Sequence, residues 1–264
     1  MYGEVREIHQ LTPAMVRIVF GGGDLSEFEP TQATDAYLKA QFLPRGATYE
    51  VPFEMEDLDG VVPEHLPKAR RYTVRRWNPD THELTIDFTI HGDTGYSGSW
   101  AQRARVGDRM QFTGPKGRYR PRADVDWHLF VGDESALPAI AASLEVLDAG
   151  DHAVVVVVVD APGYEVDLGS AGEIDIHWLY RNESTTPETL LVEALAEMQF
   201  PDGSFDSCVH GEAGETRAVR KYLISERGVD PTEASISAYW RRSYTDEQWR
   251  KVKKEWNAAV EADV

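Results

Sequence analysis

Residues 70 to 75, Arg-Arg-Tyr-Thr-Val-Arg, put three arginines within six positions. On a strand such a run is either an edge kept soluble by its charges or a surface laid along an anion. The residue types suit the second use. A guanidinium matches a pyrophosphate as a bidentate fork, a tyrosine ring offers a stacking face, and a threonine hydroxyl adds a hydrogen bond. Strand alternation sets Arg70 and Tyr72 on one side and Arg71, Thr73 and Arg75 on the other. A second cationic group, Arg241, Arg242, Arg250, Lys251, Lys253 and Lys254, is accompanied only by Asp246 and Glu247 across residues 241 to 254. It stands in a half, residues 122 to 264, that carries 12 Lys+Arg against 28 Asp+Glu. A local positive patch there is either a solvated helix face or a receptor for an anionic ligand. Third, the turn Gly132 to Ile140, with Asp133, Glu134 and Ser135 at its tip, joins an apolar strand to a helix. That setting suits a dinucleotide phosphate, although G-x-G-x-x-G is missing and an ordinary strand-to-helix turn is the plain alternative.

Composition narrows what these groups can do. The formal charge of −18 argues against a nucleic-acid binder through repulsion from phosphate. No window is apolar for long enough to span a bilayer, and the beginning of the chain, charged from Glu4, shows no signal peptide, so the expected location is the cytoplasm. The single cysteine, Cys208, precludes an internal disulfide or a thiolate cluster. The eight histidines lack metal-ligand spacing, so no metal site is expected.

The elements that must position these residues change period midway. In the first half, candidate strands at 2–11, 14–20, 36–42, 70–77, 83–91 and 108–114 are separated by glycine, proline and acidic turns. They predict a six-stranded antiparallel barrel, with one helix near 98–105 capped by Ser97 or Ser99. A Gly- and Pro-rich stretch at 114–126 reads as the linker. Beyond it, strands and helices alternate, and six consecutive valines, Val154 to Val159, read as a strand buried on both faces. This predicts a doubly wound parallel sheet with ligands at the carboxyl ends of its strands. The expected domains are 1–121 and 122–264, the second ending in a helix with a Thr245/Gln248 capping box. On that helix Trp249, Val252, Trp256 and Val260 form an apolar stripe, while Arg250, Lys251 and Lys254 cluster elsewhere.

A barrel followed by a nucleotide-type α/β domain is the layout of the ferredoxin-reductase superfamily. The ordered motifs RRYTVR, IDFTIHGDTGYSGSWA, GPKG, GDESALPAI, HWLYR, HGEAGETRAVRKYL and AYWRRS resemble the siderophore-interacting proteins, FAD-dependent ferric-siderophore reductases, over almost the whole chain. The resemblance makes 1–121 an FAD-binding barrel and 122–264 an NAD(P)H-binding domain. It implies that Arg70, Arg71, Tyr72 and Thr73 hold FAD, with Tyr72 and Thr73 at the reacting ring. Asp87, Phe88, Thr89, Ile90 and His91 match the second FAD contact, made largely through backbone, although His91 by itself reads as a plain strand-end residue. Ser97, Gly98 and Ser99 fall where the family places a phosphate-binding helix start. This chain departs there, with Tyr96-Ser97-Gly98 in place of Pro, Ala and Ser.

In the second domain Asp133, Glu134 and Ser135 would meet the nucleotide. Tyr180 and Arg181 could meet an adenosine 2′-phosphate, which leans the donor from NADH toward NADPH. Trp240, Arg241 and Arg242 match the family's terminal-strand motif facing FAD. Arg242, Lys251 and Lys254, joined by Lys39, are the candidates for receiving an anionic ferric siderophore. The implied activity moves a hydride from NAD(P)H to FAD and then single electrons to Fe(III), whose hard oxygen donors release Fe(II). The expected protein is a monomer. Two alternatives stay open: a ferredoxin-linked or diaphorase-type flavoprotein, and a siderophore-binding protein without redox function.

Overall fold

The structure is a computed structural model and describes residues 1–90 and 95–263. Two compact units divide it, Met1–Arg120 and Pro121–Val264. In the first unit the strands are β1 (Tyr2–Thr12), β2 (Met15–Gly21), β3 (Tyr37–Phe42), β4 (Lys68–Thr73), β5 (Arg76–Asn78), β6 (Glu83–Thr89) and β7 (Arg109–Lys116), with helix α1 (Ser97–Arg103). They form one sheet in the order β4-β3-β7-β1-β2-β6-β5. Every pairing in it is antiparallel.

Seven strands replace the six expected, because the run 70–77 is two strands. Val74 donates its N–H to Ala36 O, whereas Arg75 donates to Thr85 O. The chain therefore crosses from one end of the strand order to the other within two residues, as a sheet rolled into a barrel requires. Leu38 and Ala40 of β3, Leu84, Ile86 and Phe88 of β6, and Phe20 and Phe112 are wholly inaccessible and fill the barrel. The helix begins earlier than expected. Tyr96 occupies the N-cap position without a side-chain bond, so neither Ser97 nor Ser99 is the cap. Ser99 instead lies inside the first turn, where its hydroxyl donates to Gly95 O at 2.9 Å.

The second unit is a parallel sheet in the order β10-β9-β8-β11-β12, made of β8 (Trp127–Asp133), β9 (His152–Val159), β10 (Glu173–Tyr180), β11 (Phe205–Glu212) and β12 (Ser235–Trp240). Its helices are α2 (Leu137–Leu144), α3 (Leu190–Glu197), α4 (Ala213–Ser225) and α5 (Asp246–Glu261). The valine run forms β9 and is flanked by a strand on each side, and Val154 to Val159 are all buried. This accounts for an apolar run without alternation. The order reverses between β8 and β11, the switch point at which doubly wound sheets open a crevice. Two glycines let the turns there close in. A Cβ on Gly132 would lie 2.5 Å from His210 O, and one on Gly211, at φ +144°, would lie 2.9 Å from the Asp133 carboxylate. Helix α5 carries the expected capping box between Thr245 and Gln248. From its apolar stripe Trp249, Val252 and Trp256 pack as a cluster with Ala213 and Ala238.

Candidate functional site

In the first unit the basic strand β4 is terminal in the strand order, with β3 as its sheet neighbour. The register places Arg70 opposite Ala40, Arg71 opposite Lys39, and Tyr72 opposite Leu38. Directly opposed residues share a sheet face. Arg70 and Tyr72 therefore lie on the side of the barrel interior, and Arg71 with Lys39 on the outer side. The half-buried Tyr72 ring rests 4.5 Å from the Phe88 ring. The Arg70 guanidinium donates to Ala69 O at 3.0 Å and sits 5.7 Å from the Tyr96 ring. Arg71, exposed, lies 5.8 Å from the ring of Tyr37. Thr73 is buried at the strand's end. The four residues of the sequence motif are thus split between two faces, as alternation requires, with Lys39 added to the outer pair.

The second candidate segment behaves differently. Asp87 is 4% exposed and accepts two bonds from Arg17 of β2, at 2.7 and 2.8 Å, with Arg75 at 3.9 Å. Its carboxylate is committed to a buried ion pair. Phe88 is a core side chain with no exposure, Ile90 is buried, and Thr89 is half-buried. Any contact from Phe88 or Ile90 to a bound molecule would have to come from backbone. His91 lies outside the described residues. Gly98 is buried in α1.

At the strand ends of the second unit, acidic residues converge. Asp133 has no exposure and accepts four hydrogen bonds: from Trp240 Nε1 at 2.7 Å, Glu212 N at 2.8 Å, and Ser135 N and Oγ at 2.8 and 2.5 Å. One carboxylate thus ties together the ends of β8, β11 and β12. Glu212 is the N-cap of α4, accepting from Gly214 N and Glu215 N, and also takes the backbone N–H of Arg242 at 2.9 Å. Glu215, 2% exposed, accepts from the Arg242 guanidinium at 2.8 Å. Burial, with Asp133 and Glu212 as like-charged neighbours, pushes its carboxyl up to about 8. Burial likewise raises the Glu134 carboxyl, against the pull of Arg181.

Arg181 donates to Glu134 at 2.5 Å and to Asp160 at 2.9 Å, and Tyr180 O–H donates to Glu165 at 2.6 Å. The Arg241 guanidinium lies over the Tyr244 ring at 4.5 Å. Beneath the strand ends, His210 is buried with Tyr239 Oη 2.8 Å from Nδ1, and burial holds its imidazole down to about 4.

Lys251 and Lys254 are exposed on α5, opposite its apolar stripe. Lys253 turns inward and donates to Ala238 O at 2.6 Å. A cavity of about 130 Å³, lined by Arg217, Arg220, Lys253 and Trp256, opens between α4, β12 and α5. It is smaller than the ~300–1,000 Å³ of ordinary small-molecule sites.

Sequence reasoning did not find Asp160, Glu212 or Glu215. Asp160 was findable, as the acid that ends the valine strand. Glu212 and Glu215 flank the start of α4, but nothing local shows which arginine they hold.

A family model described as a siderophore-interacting FAD-binding domain matches residues 4–119, and one described as siderophore-interacting protein matches residues 125–243. The ferric vibriobactin reductase of Vibrio cholerae is 31% identical over 90% of this chain and 88% of its own. An NADPH-dependent ferric-chelate reductase of Escherichia coli is 29% identical, covering 89% of this chain and 91% of its own. A siderophore utilization protein of T. fusca has a crystal structure that superposes with a TM-score of 0.80 at 32% identity, covering 93% of this chain and 94% of that one.

Proposed function

Because the chain belongs to the siderophore-interacting protein family, we propose that it is an FAD-dependent reductase that moves electrons from a nicotinamide dinucleotide to ferric siderophores, as a monomer in the cytoplasm. The observation that carries this reading is strand β4. It offers arginine and tyrosine on its interior side and threonine at its end, at one end of the barrel's strand order and within the stretch that matches an FAD-binding domain.

The residues present fit that cofactor. Arg70 keeps a half-buried guanidinium beside the half-exposed Tyr72 ring, one group for a diphosphate and one for a flat ring system. Thr73 at the strand's end would hydrogen-bond the ring edge, and Ser97 and the backbone near Thr89 would complete the hold. Bound FAD would supply the conversion of a two-electron donor's equivalents into single electrons for Fe(III). The second unit would hold the nicotinamide dinucleotide at its switch point, beside Asp133, Glu134 and Ser135. Trp240 is held there by Asp133, and Arg242 by Glu212 and Glu215.

For the ferric chelate, Lys39 with Arg71 on the outer barrel face, and Lys251 with Lys254 on α5, would supply positive charge to a molecule whose net charge is negative. Such surface cations raise encounter rates and orient the ligand more than they tighten it. Arg242 would serve from its anchored position.

An anaerobic titration tests the proposal. FAD-loaded protein receives NADH or NADPH and then a ferric catecholate or hydroxamate, while the flavin band near ~450 nm and a ferrous chelator are followed. Bleaching by nucleotide, with recovery and Fe(II) formation on adding the chelate, is expected. Protein that takes up no FAD would overturn the reductase reading in favour of a binding protein. Bleaching without recovery would move the acceptor to a ferredoxin or another partner.

A further inference from the structure

Two residue types decide how a doubly wound sheet treats the adenosine ribose. An acid at the end of the second strand accepts a hydrogen bond from a 2′-hydroxyl, and a nearby arginine accepts a 2′-phosphate. This chain has both. Asp160 directly follows β9, and Arg181 directly follows β10.

We infer that this protein selects NADH over NADPH, because Arg181 is sequestered by Glu134 and Asp160 while the outward part of Asp160 is left to take the ribose 2′-hydroxyl. The inference rests on the reading of the second unit as the nicotinamide-dinucleotide domain.

The geometry supports each part. Arg181 Nη1 lies 2.5 Å from Glu134 Oε1 and 2.9 Å from Asp160 Oδ1, and its side chain is only 15% exposed. To greet a phosphate, the guanidinium would have to leave Glu134, whose side chain is 4% exposed. That would leave a buried carboxylate without its counter-charge, the costly way to break such a pair. Asp160 is 53% exposed, so it presents an acceptor to solvent while holding Arg181.

The neighbouring candidate is also taken. Tyr180 O–H donates to Glu165 at 2.6 Å, and Glu183 acts on the same phenol. A dianionic 2′-phosphate entering here meets the carboxylates of Asp160 and Glu165, with Glu183 nearby, while Arg181 holds Glu134 and Asp160 through Nη1 and keeps its Nε and Nη2 buried away from solvent. A 2′-hydroxyl meets an acceptor and brings no charge.

The test uses the full chain loaded with FAD. Anaerobic flavin reduction is measured with NADH and NADPH, and binding of ADP-ribose and of 2′-phospho-ADP-ribose is measured by calorimetry. We expect kcat/KM for NADH to exceed that for NADPH by about tenfold or more, and ADP-ribose to bind tighter by a similar factor. Asp160→Asn, at an exposed position, should narrow both ratios by roughly tenfold, and Asp160→Asn with Glu134→Gln should reverse them.

Equal or better use of NADPH by the unaltered protein would overturn the inference, as would ratios unmoved by Asp160→Asn. If neither nucleotide reduces the flavin but ADP-ribose binds with the expected preference, the selectivity stands and the nicotinamide-fed reductase reading falls. If neither fragment binds, both fall.

Discussion

Strand β4 of the barrel and the strand ends of the parallel sheet use arginine in different ways. On β4 of the barrel, Arg70 is half-buried on the interior side with its guanidinium near the Tyr96 ring, and Arg71 is exposed next to Lys39 on the outer side. At the strand ends of the parallel sheet, Arg181 and Arg242 are each held by buried carboxylates, and Trp240 is held by Asp133. The comparison separates two roles that a motif alone merges. An arginine that supplies charge to a ligand must be reachable from solvent, whereas one that holds buried carboxyl groups is part of the architecture. Both kinds sit beside a candidate nucleotide site, so proximity to a site does not distinguish them. Burial and partners do.

The largest expected effect comes from breaking the architectural side. Asp133→Ala removes the acceptor of four hydrogen bonds and should cost about 3–5 kcal/mol of stability, since each stranded buried donor costs about 1–3 kcal/mol. Urea denaturation would check this, and a loss under 1 kcal/mol would show that the strand ends do not depend on it. On the ligand side, Arg70→Ala should leave the fold intact and weaken FAD binding about 10- to 100-fold, the range for a charge-assisted hydrogen bond worth about 1.5–3 kcal/mol. Flavin fluorescence titration reads that loss, and unchanged affinity would remove Arg70 from the site.

A finer test is pH. The Glu215 carboxyl is raised to about 8 in the fold, whereas in the unfolded chain it ionises near ~4.3. The folded state therefore binds more protons between those values, and the group makes stability fall as pH rises through that window. His210, held down to about 4 by burial, acts with the other sign, making stability fall as pH drops from about 6.5. Glu215→Gln should flatten the decline between pH 6 and 8 and leave the acid side unchanged, as measured by denaturation across pH. A decline equal to that of the unaltered protein would mean Glu215 is ionised in the fold. The smallest effect is expected from Lys251→Glu with Lys254→Glu. These exposed residues should alter only the ferric-siderophore step, raising its KM about two- to tenfold with a stronger effect at low salt, while FAD affinity and flavin reduction stay unchanged.

Most of the architecture was legible in the sequence. The valine run announced a central parallel strand, alternation announced the barrel, and Thr245 with Gln248 announced the start of α5, because each signal depends on residues close together in the chain. Strand count failed at one place. Val74 and Arg75 look like the middle of a strand, yet their hydrogen bonds go to Ala36 and Thr85 at opposite ends of the sheet order. The helix start at residue 97 was missed for a similar reason: two serines compete for the cap, and the backbone enters the helix before either can serve.

By itself, the sequence determined which residues could carry charge to a ligand, the two kinds of sheet, and the order of the units. Only the tertiary structure decided which of those charges stay available. Asp87 meets Arg17 across 70 positions of chain, Glu134 meets Arg181 across 47, and Glu215 meets Arg242 across 27. Spacing rules reach a few residues along a helix or strand, whereas an ion pair forms between whatever groups the packed elements bring together. In the barrel, Arg71 is exposed on the strand that closes one end of the sheet order, whereas Arg17 and Arg75 turn to the buried Asp87. The sheet's arginines were consumed because the carboxyl ends of its parallel strands gather acids at one switch point.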